Sequence, residues 1–170
     1  HRYGRRQRQM CIRDSLQSDI EKIKYDLDGD MIDLPVKLKV HDSIFVPLAK
    51  WSMLLSGNYR CVKEENAVAI KEAVHSDLAH SEEIYNWVGT IATKLGAIDS
   101  DQVPFNKYAK AAESLIRPSS AARALFSGAK NIERVDRLIK LIAIQMGEDT
   151  YLIDPIIEQV DRRLEINRGS

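Results

Sequence analysis

Glu72 and His75 form one of the few residue pairs in this chain whose types and spacing could do chemistry. They stand three residues apart on a predicted helix, which is the spacing of one ligand pair in a di-iron carboxylate site. Such a site needs two pairs and two further Glu. The second pair, Asp77 and His80, begins five residues later and therefore lies on a different face of the helix. We interpret these side chains as solvated or capping groups and predict no metal ligand.

An acidic segment, DLDGDMID from Asp26 to Asp33, has carboxylates at alternate positions, as a calcium-binding loop would. Its glycine, Gly29, stands at the fourth place instead of the sixth. Lys37 occupies the twelfth place, where such a loop has a bidentate Glu. Asp-Gly between apolar residues is instead typical of a tight hairpin turn, which we predict at residues 28–30.

Motifs for phosphate binding and for nucleophilic catalysis are absent from the sequence. There is no G-x-G-x-x-G and no Walker lysine, so the chain itself has no cofactor-binding residues that we can predict. There is also no G-x-S-x-G nucleophile elbow, so hydrolase chemistry has no local support.

The predicted secondary structure, which must position any site, changes from strands to helices near Asp42. Before it, apolar and polar residues alternate around Tyr25 and again around Leu38, which is the period of half-buried strands. Pro35 indicates that the second predicted strand begins there or lies at the edge of a sheet. A two-stranded hairpin is marginal by itself, so we expect these strands to pair with others.

After Asp42 the periodicity is helical throughout. Gly57-Asn58 is predicted to interrupt the first helix, and Asn131 to cap a helix that carries Glu133 and Asp136 on its opening turns. The predicted fold class is mainly α, a multi-helix bundle preceded by a short β-hairpin or by remnant strands of a sheet. The predicted helices cover residues 43–55, 66–95, 105–116, 118–128, 131–146 and 153–166.

Composition is that of a soluble globular protein, with 44% hydrophobic and 29% charged residues. No apolar run approaches the length of a membrane span. Outside the first fifteen residues Cys61 is the only cysteine, so we expect no internal disulfide and a cytoplasmic location.

Residues 1–15 are basic, with five Arg and no acid before Asp14. The run RQRQMCIRDS within them resembles translated sequencing-adapter read-through, and the alternatives are a native basic tail and a nucleic-acid-binding arm. Without these five Arg, 20 basic residues face 25 acidic ones, a net charge of −5. We therefore expect no nucleic-acid partner, since nonspecific binding to phosphate backbones needs a positive surface.

Several patterns of the helical part follow one another in a fixed order. The first helix carries Trp51 and Leu54 and leads to Asn58. A long helical segment follows, with the acidic pair Glu82-Glu83 before a terminal glycine, Gly96.

Ser119 and Ser120 then open a short helix, and Gly128 begins a turn that leads to Glu133. In this order the patterns resemble the C-terminal helical domain of the ketopantoate reductase family, whose members transfer a hydride from NADPH to the keto carbon of a 2-oxo acid. The resemblance implies a fold like the C-terminal domain of 6-phosphogluconate dehydrogenase. It implies substrate-binding residues at Asn58, Ser119 and Ser120. It also implies a catalytic, orienting carboxylate at Glu133.

Met53 occupies the position of the family's catalytic lysine. A thioether cannot donate the proton that the developing alkoxide needs, and Lys50 lies about 300° away around the helix. We expect this chain alone to be inactive, because it has no motif that could hold the nicotinamide. The implied parent would use NADP or NAD and a small 2-oxo acid substrate.

The resulting domain prediction has three parts: a non-native tail at 1–15, strands of a lost dinucleotide-binding domain at 16–41, and a helical substrate or dimerisation domain at 42–170. Two alternatives stay open. One is a domain of another two-domain NAD(P) dehydrogenase, of the opine or 6-phosphogluconate type. The other is a non-enzymatic helical interaction module that forms a homodimer through its apolar stripes.

Overall fold

The computed structural model describes residues 12, 15–33, 38, 41 and 43–169. The chain divides into two compact units, His1–Ile44 and Phe45–Ser170. The described residues are mainly helical, with one two-stranded sheet near the N-terminus, which confirms the predicted fold class at that level.

The first unit contains a helix, α1, at residues 15–22 and an antiparallel hairpin of β1 (Lys24–Leu27) and β2 (Asp30–Asp33). Asp28 and Gly29 join the strands with φ of 55° and 94°, the left-handed pair that a tight hairpin turn requires. The Asp26 carboxylate accepts a hydrogen bond from the Gly29 N–H at 2.8 Å, which further supports the predicted turn.

One detail of the strand prediction is wrong, and another lies outside the described residues. The strand that pairs with β1 directly follows the turn, at Asp30–Asp33, and most of the second predicted strand, around Leu38, lies outside the described residues. All eight strand residues are exposed instead of half-buried, because a two-stranded ribbon buries little surface by itself.

The second unit opens with one continuous helical rod, which we call the central rod. Gly57-Asn58 does not interrupt this rod, contrary to the prediction, and Asn58 has helical φ and ψ of −60° and −46°. The rod runs as a 3₁₀ turn at Val46–Leu48, an α-helix (α2) at Ala49–Met53, a π-helical segment at Leu54–Asn58 and a 3₁₀ turn at Tyr59–Cys61.

Gly57 serves close packing and not helix termination. It is buried, and a Cβ built on it would lie 2.0 Å from the Tyr108 hydroxyl and 3.2 Å from a methyl carbon of Val74. The helices that pack around the central rod are α3 (Ile70–His75), α4 (Leu78–Lys94), α5 (Phe105–Ala112), α6 (Ser120–Phe126), α7 (Val135–Gln145) and α8 (Asp154–Gly169).

The predicted helix over 66–95 is broken at Asp77. This residue is extended, with φ −146° and ψ 90°, and its carboxylate accepts from the His80 N–H at 2.9 Å. Such a side-chain cap starts a new helix, so α3 ends at His75 and α4 begins at Leu78.

The predicted cap at Asn131 is also wrong, because α7 begins only at Val135. Asn131 instead accepts a hydrogen bond from the Arg168 guanidinium at 3.2 Å. Glu133 therefore precedes the helix, and Asp136 is the acid of its first turn.

Two groups of buried side chains form the core of the second unit. The larger joins the central rod to α4, α6, α7 and α8 through residues such as Leu55, Ile139 and Ile153. The smaller packs α3 and α4 against α5 and includes a stacked pair of rings, Tyr85 and Tyr108, whose centroids are 5.3 Å apart.

Candidate functional site

A cavity of about 510 Å³ brings together three of the four residues that the family resemblance implies. Asn58, Ser119 and Ser120 all line it, whereas Glu133 does not. This volume lies in the range of small-molecule pockets. The lining residues are Asn58, Ile70, Ser114, Leu115, Ile116, Arg117, Pro118, Ser119, Ser120 and Arg123.

Asn58 is the last residue of the π-helical segment, and it lines the cavity. π-helical turns inside longer helices are frequent at functional sites, because the wider turn displaces a side chain from its ordinary position. The Asn58 side chain is half-buried, and no described protein group forms a hydrogen bond with its amide. A partly desolvated amide of this kind offers both a donor and an acceptor to a bound molecule.

Ser119 links the cavity to the central rod. Its hydroxyl donates to the Asn58 carbonyl oxygen at 2.7 Å and accepts from the Ala122 N–H at 3.1 Å, which makes it the N-cap of α6. The side chain is buried. Its one proton is thus already donated within the protein.

Ser120 differs from its neighbour in both exposure and bonding. It is exposed, and its hydroxyl forms no hydrogen bond with a described group. Of the two serines, Ser120 has the hydroxyl that is available to a ligand in the cavity.

Another part of the cavity wall is fixed by backbone hydrogen bonds. The Ile70 N–H donates to the Arg117 carbonyl at 3.1 Å, and the Lys71 N–H donates to the Leu115 carbonyl at 3.0 Å. These two N–H groups open α3 and would otherwise lack partners. The segment after α5 therefore leaves the helical path before Ile116, the predicted helix end, and instead caps α3.

Arg117 and Arg123 are site residues that the sequence reasoning missed. Both residues line the cavity and both are exposed. Ser120 and Arg123 stand three residues apart on α6, so they share a helix face, and this spacing could have revealed the second arginine. Arg117 enters the lining only because its segment turns back onto α3, which no local pattern predicts.

Glu133 lies on the loop before α7 and is exposed. Its backbone is held by Tyr59, whose hydroxyl donates to the Glu133 carbonyl at 2.8 Å and accepts from the Val135 N–H at 3.1 Å. Burial raises the pKa of Tyr59 to about 12, so the phenol is protonated and remains a donor over the physiological range.

Met53, at the family's lysine position, packs against the smaller core group. Its carbonyl oxygen accepts from the Tyr108 hydroxyl at 3.3 Å. The side chain belongs to the Tyr85, Phe105 and Tyr108 environment and does not line the cavity, while Lys50 is exposed near the start of α2.

A buried ion-pair network lies beside the loop that carries Glu133. Asp136 is fully buried and is held by the Arg134 guanidinium at 2.8 Å, and Arg134 also pairs with Asp161. Burial by itself would raise the pKa of Asp161, but hydrogen bonds from Arg137 and Arg134 outweigh it and lower that pKa. The network fixes the start of α7 against α8.

Other chemistry has less support among the described residues. Within them, no three His, Cys, Asp or Glu side chains are grouped so that they could hold a metal ion. His75 instead contacts the Ala109 carbonyl at 3.0 Å. Of the helices in the described part of the chain, none combines the length and the apolar character that crossing a membrane requires.

Over the described residues the protein is mainly helical and has a cavity of about 510 Å³ beside its central rod. Comparisons with protein-family models, with curated proteins and with solved structures found no match.

Proposed function

We propose that the helical part of this chain is the substrate-binding domain of an NAD(P)-dependent 2-oxo acid reductase, of the ketopantoate reductase type. The observation that carries the proposal is the meeting of Asn58 and Ser120 in one cavity. These residues are 62 positions apart in the sequence. Both offer side-chain groups without a described protein partner.

The chemistry of keto reduction explains why these groups suit the role. Hydride addition to a keto carbon develops negative charge on the oxygen, and positioned hydrogen-bond donors stabilise that charge. The Asn58 amide and the Ser120 hydroxyl are donors of this kind. Glu133, the carboxylate that the resemblance implies, does not line this cavity, so the proposal assigns it no contact with the bound substrate; Tyr59 holds its backbone before α7.

Hydride transfer would also need a bound nicotinamide, which supplies the hydride. The sequence of this chain has no Gly-rich phosphate cradle for a dinucleotide. In the proposal, NADP or NAD is therefore held by a dinucleotide-binding domain of the parent protein. The full chain by itself is expected to show no micromolar binding of NADPH.

The position of Met53 favours a second candidate within the same enzyme class. Since Met53 packs into the smaller core group, the proton for the alkoxide must come from another residue. A different two-domain NAD(P) dehydrogenase, of the opine or 6-phosphogluconate type, would fit this departure.

The outer face of α7 favours a non-enzymatic alternative, the homodimeric interaction module. Leu138, Leu141 and Ile144 follow one another at three-residue steps and are 47%, 61% and 54% exposed. An apolar surface of this kind is typical of interaction sites when it is contiguous. In this alternative the chain would dimerise and bind no 2-oxo acid.

Calorimetric titration of the full chain with 2-oxobutanoate tests the proposal. We expect binding that is weakened about tenfold by Asn58→Ala and by Ser120→Ala, because each removes one hydrogen bond to the ligand. Asn106→Ala on α5 and Ser127→Ala after α6 are matched controls, since both residues are exposed and lie outside the cavity lining. Absence of binding, or equal effects of test and control variants, would contradict the proposal.

A further inference from the structure

The cavity that holds Asn58 and Ser120 is cationic. Of its ten lining residues two are arginines, Arg117 and Arg123, and none is acidic. Neither guanidinium forms a salt bridge or a hydrogen bond with a described residue. By contrast, Arg134 and Arg137 both bind the Asp161 carboxylate.

Hydrogen bonds fix the segments of backbone that carry the two arginines. Arg117 follows Ile116 in the segment that caps α3, and its own carbonyl accepts the Ile70 N–H. Arg123 lies on α6, whose first turn is held to the central rod by the Ser119 hydroxyl. The planar guanidinium group binds a carboxylate through two parallel hydrogen bonds, which gives directional recognition as well as charge.

We infer that this cavity takes a 2-oxo acid with a second anionic group, and that Arg117 and Arg123 are the residues that select it. The inference rests on the proposed function for the recognition of the keto group, and it adds the class of substrate. A monocarboxylate would leave one of the two cationic side chains without a counter-charge. A dianion matches both.

The apolar part of the wall fits the same ligand. Ile70, Leu115 and Ile116 also line the cavity. They suit a short methylene chain that separates two carboxylates, while Asn58 and Ser120 remain available for the keto oxygen. Dicarboxylic 2-oxo acids of five or six carbons have this arrangement and fit within about 510 Å³.

Two ligands that differ only in the second charged group test what that charge contributes to binding. 2-Oxoglutarate and 2-oxopentanoate have the same chain length and the same keto acid end, and differ by a carboxylate against a methyl group. In calorimetry of the full chain at constant ionic strength, we expect 2-oxoglutarate to bind at least about tenfold more tightly, because charge-assisted hydrogen bonds are the stronger ones. Equal or tighter binding of 2-oxopentanoate would overturn the inference.

Substitutions test whether the two arginines cause the preference for 2-oxoglutarate over 2-oxopentanoate. We expect Arg117→Gln and Arg123→Gln each to reduce the preference several-fold, and the double variant to remove it. Arg162→Gln is the matched control, because its side chain is 58% exposed and lies outside the cavity lining. Arg123→Lys keeps the charge and is expected to retain part of the preference. A preference that survives the double variant would overturn the inference.

A third ligand separates this inference from the proposed function. Glutarate has both carboxylates and no keto group. If glutarate binds as tightly as 2-oxoglutarate, and Asn58→Ala changes the affinity for neither ligand, the cavity recognises charge alone. The proposed function then fails. If Asn58→Ala weakens both keto acids equally while the arginine variants change nothing, the proposed function stands and the assignment of Arg117 and Arg123 is overturned.

Discussion

The Tyr59 hydroxyl lies 2.8 Å from the carbonyl oxygen of Glu133, and this hydrogen bond joins residues that are 74 positions apart. The residue before Tyr59 is Asn58, whose own carbonyl accepts the Ser119 hydroxyl at 2.7 Å. Asn58 and Tyr59, two successive residues of the central rod, therefore hold the two other segments that carry implied site residues. These are Ser119-Ser120 and the loop with Glu133. The positions of the candidate site residues depend on this end of the rod.

Tyr59→Phe should destabilise the protein by about 1–3 kcal/mol, because it leaves the buried Val135 N–H without its acceptor. Chemical denaturation monitored by circular dichroism measures the loss. Tyr108→Phe is the matched control and should cost less, since the Tyr108 hydroxyl contacts the Met53 carbonyl at 3.3 Å and the Ser56 side chain but accepts from no described backbone N–H. Equal losses in the two variants would show that Tyr59 has no special role in holding the loop.

Gly57→Ala should also destabilise the protein, by about 1–3 kcal/mol, because the new methyl group would lie 2.0 Å from the Tyr108 hydroxyl oxygen. The double variant Gly57→Ala/Tyr108→Phe removes that oxygen and should lose less than the sum of the single losses. Thermal unfolding of all four proteins measures the coupling. Strict additivity would contradict the close approach of α5 to the central rod.

Asp161 should make stability depend on pH. Its pKa is lowered in the folded protein by Arg137 and Arg134, so its contribution is complete above the unfolded pKa of about 3.9 and is lost as the pH falls through the lower folded value. Asp161→Asn should therefore lower the Tm at pH 7, and the difference from the unchanged protein should shrink below about pH 4. A difference in Tm that stays constant from pH 7 to pH 3 would contradict this role.

Cys61 should react slowly with thiol reagents. It is fully buried, and burial raises the pKa of its thiol, so little thiolate is present near neutral pH. Peptide-resolved mass spectrometry after treatment with iodoacetamide should show full labelling of Cys61 only after denaturation. Rapid labelling of the native protein would mean that this end of the central rod opens readily.

Local patterns in the sequence predicted part of this fold. The Asp28-Gly29 turn, the end of α6 near Gly128 and the predominance of helix after Asp42 follow from turn residues and apolar periodicity, which depend only on near neighbours. The break at Asp77 carried a local signal as well, since Asp is a strong helix cap, but the apolar periodicity continues across it.

Other features depend on contacts between distant segments, so the sequence pattern could not predict them. The central rod continues through Gly57 because Tyr108 packs there, and α7 starts late because Tyr59 and Arg168 bind the preceding loop. Of the candidate site residues, Asn58, Ser119 and Ser120 do line one cavity, but Arg117 joins them only through a hydrogen bond to Ile70.

The central claim is that Asn58 and Ser120 face one bound 2-oxo acid. The most direct measurement is the change in backbone amide chemical shifts of the ¹⁵N-labelled full chain as 2-oxobutanoate is added. We predict saturable changes concentrated at residues 57–59 and 117–123, and in Asn58→Ala the same changes only at about tenfold higher ligand concentrations. Changes confined to another part of the surface, such as the cavity beside Asn86 and Thr90 on α4, would contradict the claim.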